Sequence, residues 1–145
     1  MHFSDSSVQQ NAEKIILSLL EKKLRLESNT IVQTRISLND TFVEFDGFNE
    51  EKGIIAEVYA HIGKLKSAQS SKPINDIMKM LLIEKCLNRK LRKISVVCDD
   101  NVLTQLQGKS WKAIALEEFD IEVIKVDIEF DLRNQILEAQ KRQYR

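Results

Sequence analysis

Three short segments with the character of β-strands follow one another in the first half of the chain. They are residues 31–38, 41–46 and 53–60, each bounded by Asn, Asp or Gly. Asn39 and Asp40 form the first connection, and residues 47–53 form the second, a loop. Strands joined by connections this short pair in antiparallel fashion. The sequence therefore predicts a three-stranded antiparallel meander.

Helical segments are predicted on both sides of this meander. In residues 8–26 the apolar side chains recur at the helical period. Pro73 suits the first turn of a second long helix, where its missing amide hydrogen has no partner to lose. The rest of the chain predicts strands at 93–98 and 121–128, a helix at 101–118 that is either continuous or broken at Gly108-Lys109, and a final helix at 132–140. We expect one α/β domain over residues 1–145, with a mixed sheet flanked by helices in the order αβββαβ followed by αβα.

Composition is that of an ordinary globular domain, with 43% hydrophobic and 30% charged residues in a chain of 145. No apolar run approaches the roughly 18 residues that a membrane span needs. The first ten residues lack the basic-then-apolar pattern of a signal peptide, so we expect a cytoplasmic protein without membrane contact. Cys86 and Cys98 lack the spacing of a zinc site and are predicted to be buried free thiols.

Charge is unevenly distributed although the net charge is zero. Residues 40–60 contain six acidic residues and one lysine, whereas residues 62–93 contain nine Lys or Arg residues and two acidic ones. An acidic hairpin followed by a basic segment can bind a metal ion and phosphate together. The alternative interpretation is a solvated turn beside a solvated helix.

Two carboxylates on the predicted hairpin are the candidate metal ligands. Alternate residues of a strand share a face, so Glu57 and Tyr59 are predicted to point toward a cleft or solvent, opposite the apolar Val58. Asp46 comes at the end of its predicted strand, where the hairpin can splay. Mg²⁺ binds oxygen ligands and usually takes one or two carboxylates from a protein. Asp46, Glu57 and the backbone carbonyl of Val58 could therefore hold it. A nearby lysine would then orient a water molecule and offset negative charge.

The stretches VEFDGF at 43–48 and EVYAHIGK at 57–64, together with the predicted element order, resemble the two acidic motifs of the PD-(D/E)XK nucleases. The resemblance covers residues 8–98 and implies a restriction-endonuclease-like core. It further implies a Mg²⁺-dependent phosphodiesterase acting on DNA, with Mn²⁺ as an alternative ion. Tyr59 stands where that family has its lysine.

The resemblance permits a lysine from a neighbouring element to replace the missing one. Lys64 follows the third strand, and Lys79 lies on the helix that begins at Pro73; both are candidate catalytic residues. Lys66, Gln69 and Lys72 of the same basic segment are predicted to bind nucleic acid. Family members often add an acid from the first helix, which makes Glu13 a third metal ligand, with Glu21 and Glu27 as competitors.

Other residues have a structural interpretation beside the functional one. His61 shares the Glu57 face and could bind phosphate, but a lone histidine at a strand end is more often structural. Trp111 stands among apolar neighbours and is predicted to be core rather than a platform for bases. The rival for the whole chain is a catalytically inactive domain of the same fold that binds nucleic acid or a protein. For the enzyme, a two-fold homodimer would allow both strands of a duplex to be cut.

Overall fold

A five-stranded mixed sheet flanked by helices forms the centre of the computed structural model, which describes residues 5–143. The predicted α/β class and element order are confirmed. The elements are α1 (Asp5–Lys23), β1 (Val32–Leu38), β2 (Thr41–Asn49), β3 (Ile54–Tyr59), α2 (Lys72–Leu87), β4 (Arg92–Val97), α3 (Asp100–Leu106), α4 (Trp111–Glu118), β5 (Ile121–Lys125) and α5 (Phe130–Gln143).

The strands lie in the sheet in the same order as in the chain. β1, β2 and β3 pair antiparallel, which confirms the meander, and β4 and β5 continue the sheet in parallel with β3. Asn39, at a φ of 52°, allows the tight turn between β1 and β2. Parallel pairing of β3 with β4 requires a crossover, which consists of residues 60–71, here named the β3–α2 connection, and α2.

β3 is the most enclosed strand of the sheet, since all six of its residues are buried. Ala56 and Val58 pack in the apolar cluster that α1 and α5 form on one face of the sheet. Ile55 and Tyr59 pack in the cluster on the other face, which includes residues of α2, α3 and α4. Any polar side chain on β3 is therefore held between two helical layers.

Two glutamine side chains fix the β3–α2 connection. Gln140 of α5 accepts a hydrogen bond from the Ile62 amide at 2.7 Å and donates one to the Ile62 carbonyl at 2.9 Å. Gln105 of α3 makes the same pair of bonds with Leu65, at 2.7 and 3.2 Å. A long connection that leads into α2 is thus bound to two other helices by side-chain amides.

Asp99 caps α3 and connects three parts of the fold. One carboxylate oxygen accepts the amide hydrogens of Asn101 and Gly63, each at 3.0 Å, and the other accepts a hydrogen bond from Arg133 at 2.9 Å. Although burial opposes ionisation, these hydrogen bonds lower the pKa of Asp99. The charged carboxylate is the form that the fold stabilises.

Three predictions at residue level, besides that for Glu57 and Tyr59 described below, are wrong. Gly47 belongs to β2, which continues to Asn49, rather than to a loop. Cys86 is exposed, because it lies on the outer row of α2 four residues after exposed Leu82; Cys98 is buried as predicted. Trp111 is 66% exposed, because it opens α4 on the side opposite the inward-facing Ala113 and Leu116.

No helix within residues 5–143 is both long and apolar enough to cross a membrane.

Candidate active site

The β2–β3 hairpin opens at Asp46. The two strands pair from Gly47 to Asn49, and at the next position the Asp46 carboxylate accepts the Val58 amide hydrogen at 2.8 Å. On its other side, β2 has one residue more than β1 between the pairs Thr34–Phe45 and Val32–Phe48, which is a β-bulge at Asp46 and Gly47. Such bulges redirect side chains, and this one holds Asp46 in the gap between β2 and β3.

Gly47 makes the bulge sterically feasible. A Cβ atom at this position would collide with Ile31 and lie 2.9 Å from the Leu17 side chain. The close approach of α1 and β1 therefore requires a residue without a side chain next to Asp46. The Asp-Gly pair is a feature of tertiary packing here rather than of a turn.

Glu57 lies opposite this gap on β3 and is only 3% exposed. Its Oε1 atom accepts a hydrogen bond from Lys79 Nζ at 2.8 Å, and its Oε2 atom lies 3.7 Å from Lys72 Nζ. Both lysines belong to α2, so two amines reach the carboxylate from a neighbouring helix.

Neither Glu57 nor Tyr59 is exposed to solvent, contrary to the alternative of solvent exposure in the strand-parity prediction, although Tyr59 lines a cavity beside Lys72. Tyr59 is 1% exposed because α2 covers this face of the sheet, and its hydroxyl has no hydrogen-bond partner among the described residues. Lys72 Nζ lies 4.6 Å from the centre of the Tyr59 ring and 3.0 Å from Asp76 Oδ2. The residue at the family's lysine position thus belongs to the core, and the Lys72 amine lies over its ring.

Carboxyl groups crowd together around Asp46. The negative charge of Asp46 acts on Glu57 and on half-buried Glu13 of α1. Burial, and next the negative charge of Asp46, raise the pKa of Glu57 to about 8, against the attraction of Lys72. The same two causes raise the pKa of Glu13 to about 7. Burial and mutual repulsion therefore oppose full ionisation of these carboxyl groups. A bound cation would favour their charged forms.

Asp76 is a site residue that the sequence analysis did not assign. It is buried on α2, and burial raises its pKa although Lys72 lowers it. Burial alone would lower the pKa of Lys72. The Asp76 and Glu57 carboxylates raise it by more, so the net shift is upward. The signal was present in the spacing of four residues between Lys72 and Asp76. Asp76 holds the Lys72 amine in its charged form.

Two cavities are lined by residues of this cluster. One of about 450 Å³ lies between α1 and β1 and is lined by Glu13 and Asp46. The other, of about 230 Å³, is lined by Tyr59 and Lys72, together with His61 and Gln69 of the β3–α2 connection. Burial lowers the pKa of His61, which therefore is mostly neutral at pH 7.

The structure brings some of the predicted site residues together and separates others. Asp46, Glu57, Glu13, Lys79 and Lys72 converge, as described above. Lys64 is exposed and lines a different cavity, so it does not meet the acids. The remaining predicted residues also lie outside the cluster: Lys66 is exposed, Gln69 is half-buried, Glu21 binds the backbone amides of Asn29 and Ile31, and Glu27 is exposed.

Two carboxylates of the cluster could hold a Mg²⁺ ion. Within residues 5–143, no three His, Cys, Asp or Glu side chains are grouped as ligands of one ion. Mg²⁺ usually takes one or two carboxylates from a protein. Asp46 and Glu57 would be those carboxylates, and the Val58 carbonyl would be a further oxygen ligand. Glu13 lines the same cavity as Asp46, and the charge of Asp46 raises the Glu13 pKa. Comparisons of the chain with protein-family models, with curated proteins and with solved structures found no match.

Proposed function

We propose that this chain is a metal-dependent nuclease that hydrolyses phosphodiester bonds of DNA. The observation that carries the proposal is the meeting of Asp46, Glu57 and the amines of Lys72 and Lys79 at the opening of the β2–β3 hairpin. The helix, meander, helix and parallel strand that surround this point are those expected of a restriction-endonuclease-like core, and we propose that core as the fold.

Asp46 and Glu57 would hold the Mg²⁺ ion together with the Val58 carbonyl. When bound, the ion acidifies a water molecule and stabilises negative charge on the phosphate. The amide hydrogen of Val58 fixes the Asp46 carboxylate, and Lys79 fixes that of Glu57. Both carboxylates are thus oriented before an ion binds, so they need not reorient during the reaction.

Lys72 is the amine best placed to meet the substrate. It lines the cavity of about 230 Å³, whereas the amine of Lys79 lies between Glu57 and the Phe45 ring, 5.1 Å from the ring centre. A charged amine beside the scissile phosphate offsets the charge that develops in the transition state. We assign substrate contact to Lys72 and the positioning of Glu57 to Lys79.

The test is cleavage of plasmid and branched DNA by the purified protein with Mg²⁺ or Mn²⁺. We expect Asp46→Ala and Glu57→Gln to abolish cleavage. Lys72→Met should lower kcat by about 100-fold or more, the usual loss when one electrostatic donor is removed. Lys52→Met, at an exposed lysine outside the cluster, is the matched control and should cleave normally. Cleavage by the Asp46 or Glu57 variant at the wild-type rate would refute this site.

A non-catalytic binding domain is the second candidate function. One observation favours it: two lysine amines already lie 2.8 and 3.7 Å from the Glu57 carboxyl oxygens, as they would in a purely structural contact. This candidate predicts DNA binding without cleavage under every metal condition. The homodimer proposed for duplex cutting is tested separately by sedimentation of the wild-type protein.

A further inference from the structure

A third cavity, of about 490 Å³, lies beside the β3–α2 connection, outside the carboxylate cluster. We name it the Trp111 cavity. Its walls come from the connection, the end of α3 and the start of α4. Lys64, Lys109 and Lys112 are among its lining residues, and none of the lining residues is acidic. In a chain with zero net charge, this is a local concentration of positive charge.

Trp111 presents a large aromatic surface to solvent at this cavity, being 66% exposed. It is held at the first turn of α4, where the Ser110 side chain caps the helix by accepting the Ala113 amide hydrogen. Next to it, Lys112 donates a hydrogen bond to the Ser70 carbonyl at 2.6 Å, which binds α4 to the β3–α2 connection. An exposed indole on an anchored element is the kind of platform on which a nucleic-acid base stacks.

Two lysines supply the charge that a nucleic-acid backbone requires. Lys64 and Lys109 are both exposed, on different walls of the cavity. Phosphate groups bind to exposed lysines through a salt-dependent electrostatic attraction, and a flanking aromatic side chain adds base stacking. An apolar partner would leave these amines desolvated and unpaired, at a cost in binding free energy.

The Trp111 cavity and the cavity beside the candidate active site share a lining residue. Leu65 lines both the Trp111 cavity and the cavity that contains Lys72. The β3–α2 connection thus contributes to the lining of both cavities, which are neighbours on the molecule.

We propose that the Trp111 cavity binds an unpaired nucleotide of a DNA strand, with the base on Trp111 and its flanking phosphates at Lys64 and Lys109. A base inside a duplex is stacked between its neighbours and cannot stack on a side chain without leaving the helix. The inference rests on the proposed function and deepens it, because it names single-stranded or branched DNA as the substrate class.

Binding is measured in EDTA, so that the test does not depend on cleavage. Trp111 is the chain's single tryptophan, so selectively excited indole fluorescence reports on this cavity alone. We expect a short oligothymidylate to quench the fluorescence saturably, and a duplex of the same length to quench it less. Trp111→Ala should weaken single-strand binding, measured by anisotropy of a labelled oligonucleotide, about tenfold or more. Lys64→Ala and Lys109→Ala should each reduce the slope of log K against log salt by about 0.7.

Matched controls separate this site from general surface effects. Phe130→Ala removes an exposed aromatic residue that is 73% exposed and outside the cavity, and Lys52→Ala removes an exposed lysine; both should bind as wild type does. The inference is overturned if saturable quenching is absent. It is also overturned if Trp111→Ala weakens duplex and single-strand binding equally, or if it only converts a dimer to a monomer. If wild-type protein binds and quenches but cleaves nothing, the proposed function fails while this site stands.

Discussion

Replacing Asp46 by Asn and by Ala should have opposite effects on stability, although both changes should abolish cleavage. The reason is that the Asp46 carboxylate has two separate interactions. It accepts the amide hydrogen of buried Val58 at 2.8 Å, and it repels the carboxyls of Glu57 and Glu13. Asparagine retains the acceptor and removes the charge, whereas alanine removes both.

The magnitudes follow from these two interactions. A buried amide hydrogen without a partner costs about 1–3 kcal/mol, so Asp46→Ala should be about 2 kcal/mol less stable than Asp46→Asn. Two full charges about 4 Å apart repel by about 4 kcal/mol at an effective dielectric constant of 20. Protonation of Glu57 and Glu13 already relieves most of this repulsion, so we expect Asp46→Asn to gain about 1 kcal/mol over wild type.

The assay is urea unfolding in EDTA and again with Mg²⁺. In EDTA the order of stability should be Asn, wild type, Ala. With Mg²⁺ at about ten times its dissociation constant, wild type should gain about 1.4 kcal/mol and the variants much less. Glu44→Gln, at an exposed acid of the same strand, is the control and should gain as wild type does. Equal stability of the Asn and Ala variants would refute the role of the Val58 hydrogen bond. A full Mg²⁺ gain in the Asn variant would refute the metal assignment.

The pH dependence in EDTA gives a second measure of the same cluster. The pKa of Glu57 is raised to about 8, so the folded state binds this proton more tightly than the unfolded state does. Stability from this group is therefore present below the ordinary carboxyl pKa and is lost as the pH rises through about 8. In Asp46→Asn the decline should be smaller, and an identical decline would contradict the assigned cause.

Two further predictions concern the scaffold. Lys93→Met should lower the free energy of unfolding by about 2 kcal/mol, because the buried Lys93 amine bonds Glu84 at 2.8 Å and its loss leaves that carboxylate with the Leu91 amide hydrogen but without its ion-pair partner; Lys52→Met should change it little, and equal losses would contradict the idea. Asp99→Asn should cost about 1 kcal/mol at pH 7. The pKa of Asp99 is lowered in the folded state, so this difference should hold above the ordinary aspartate pKa and disappear as the pH falls below it, which urea titrations at several pH values measure.

The fold was predictable where local periodicity decides it, and less so where tertiary contacts do. Alternation over residues 31–38 and the position of Pro73 identified the meander and the start of α2 correctly. Asp46-Gly47 has the composition of a turn, and only the approach of Leu17 and Ile31 makes it a bulge inside β2. No pattern in the hairpin's own sequence contains that information.

For the candidate site, sequence reasoning grouped Asp46, Glu57 and Glu13, missed Asp76, and left the choice among the lysines open. Strand parity correctly grouped Glu57 with Tyr59 but could not show that α2 covers that face. The choice among lysines depends on how α2 crosses the sheet, which brings the Lys72 and Lys79 amines to Glu57 and leaves Lys64 outside. Trp111 was assigned to the core because its sequence neighbours are apolar, although the helical period directs it outward.

The glutamine pairs that fix the β3–α2 connection have a consequence for the order of events during folding. One of the two, Gln140, comes from α5, which is far along the chain from the connection that it binds. Until α5 has folded onto the sheet, the connection that leads to Lys72 lacks one of its two anchors. A chain that forms the β2–β3 hairpin before α5 docks would therefore have Asp46 and Glu57 in place before Lys72 is held beside them.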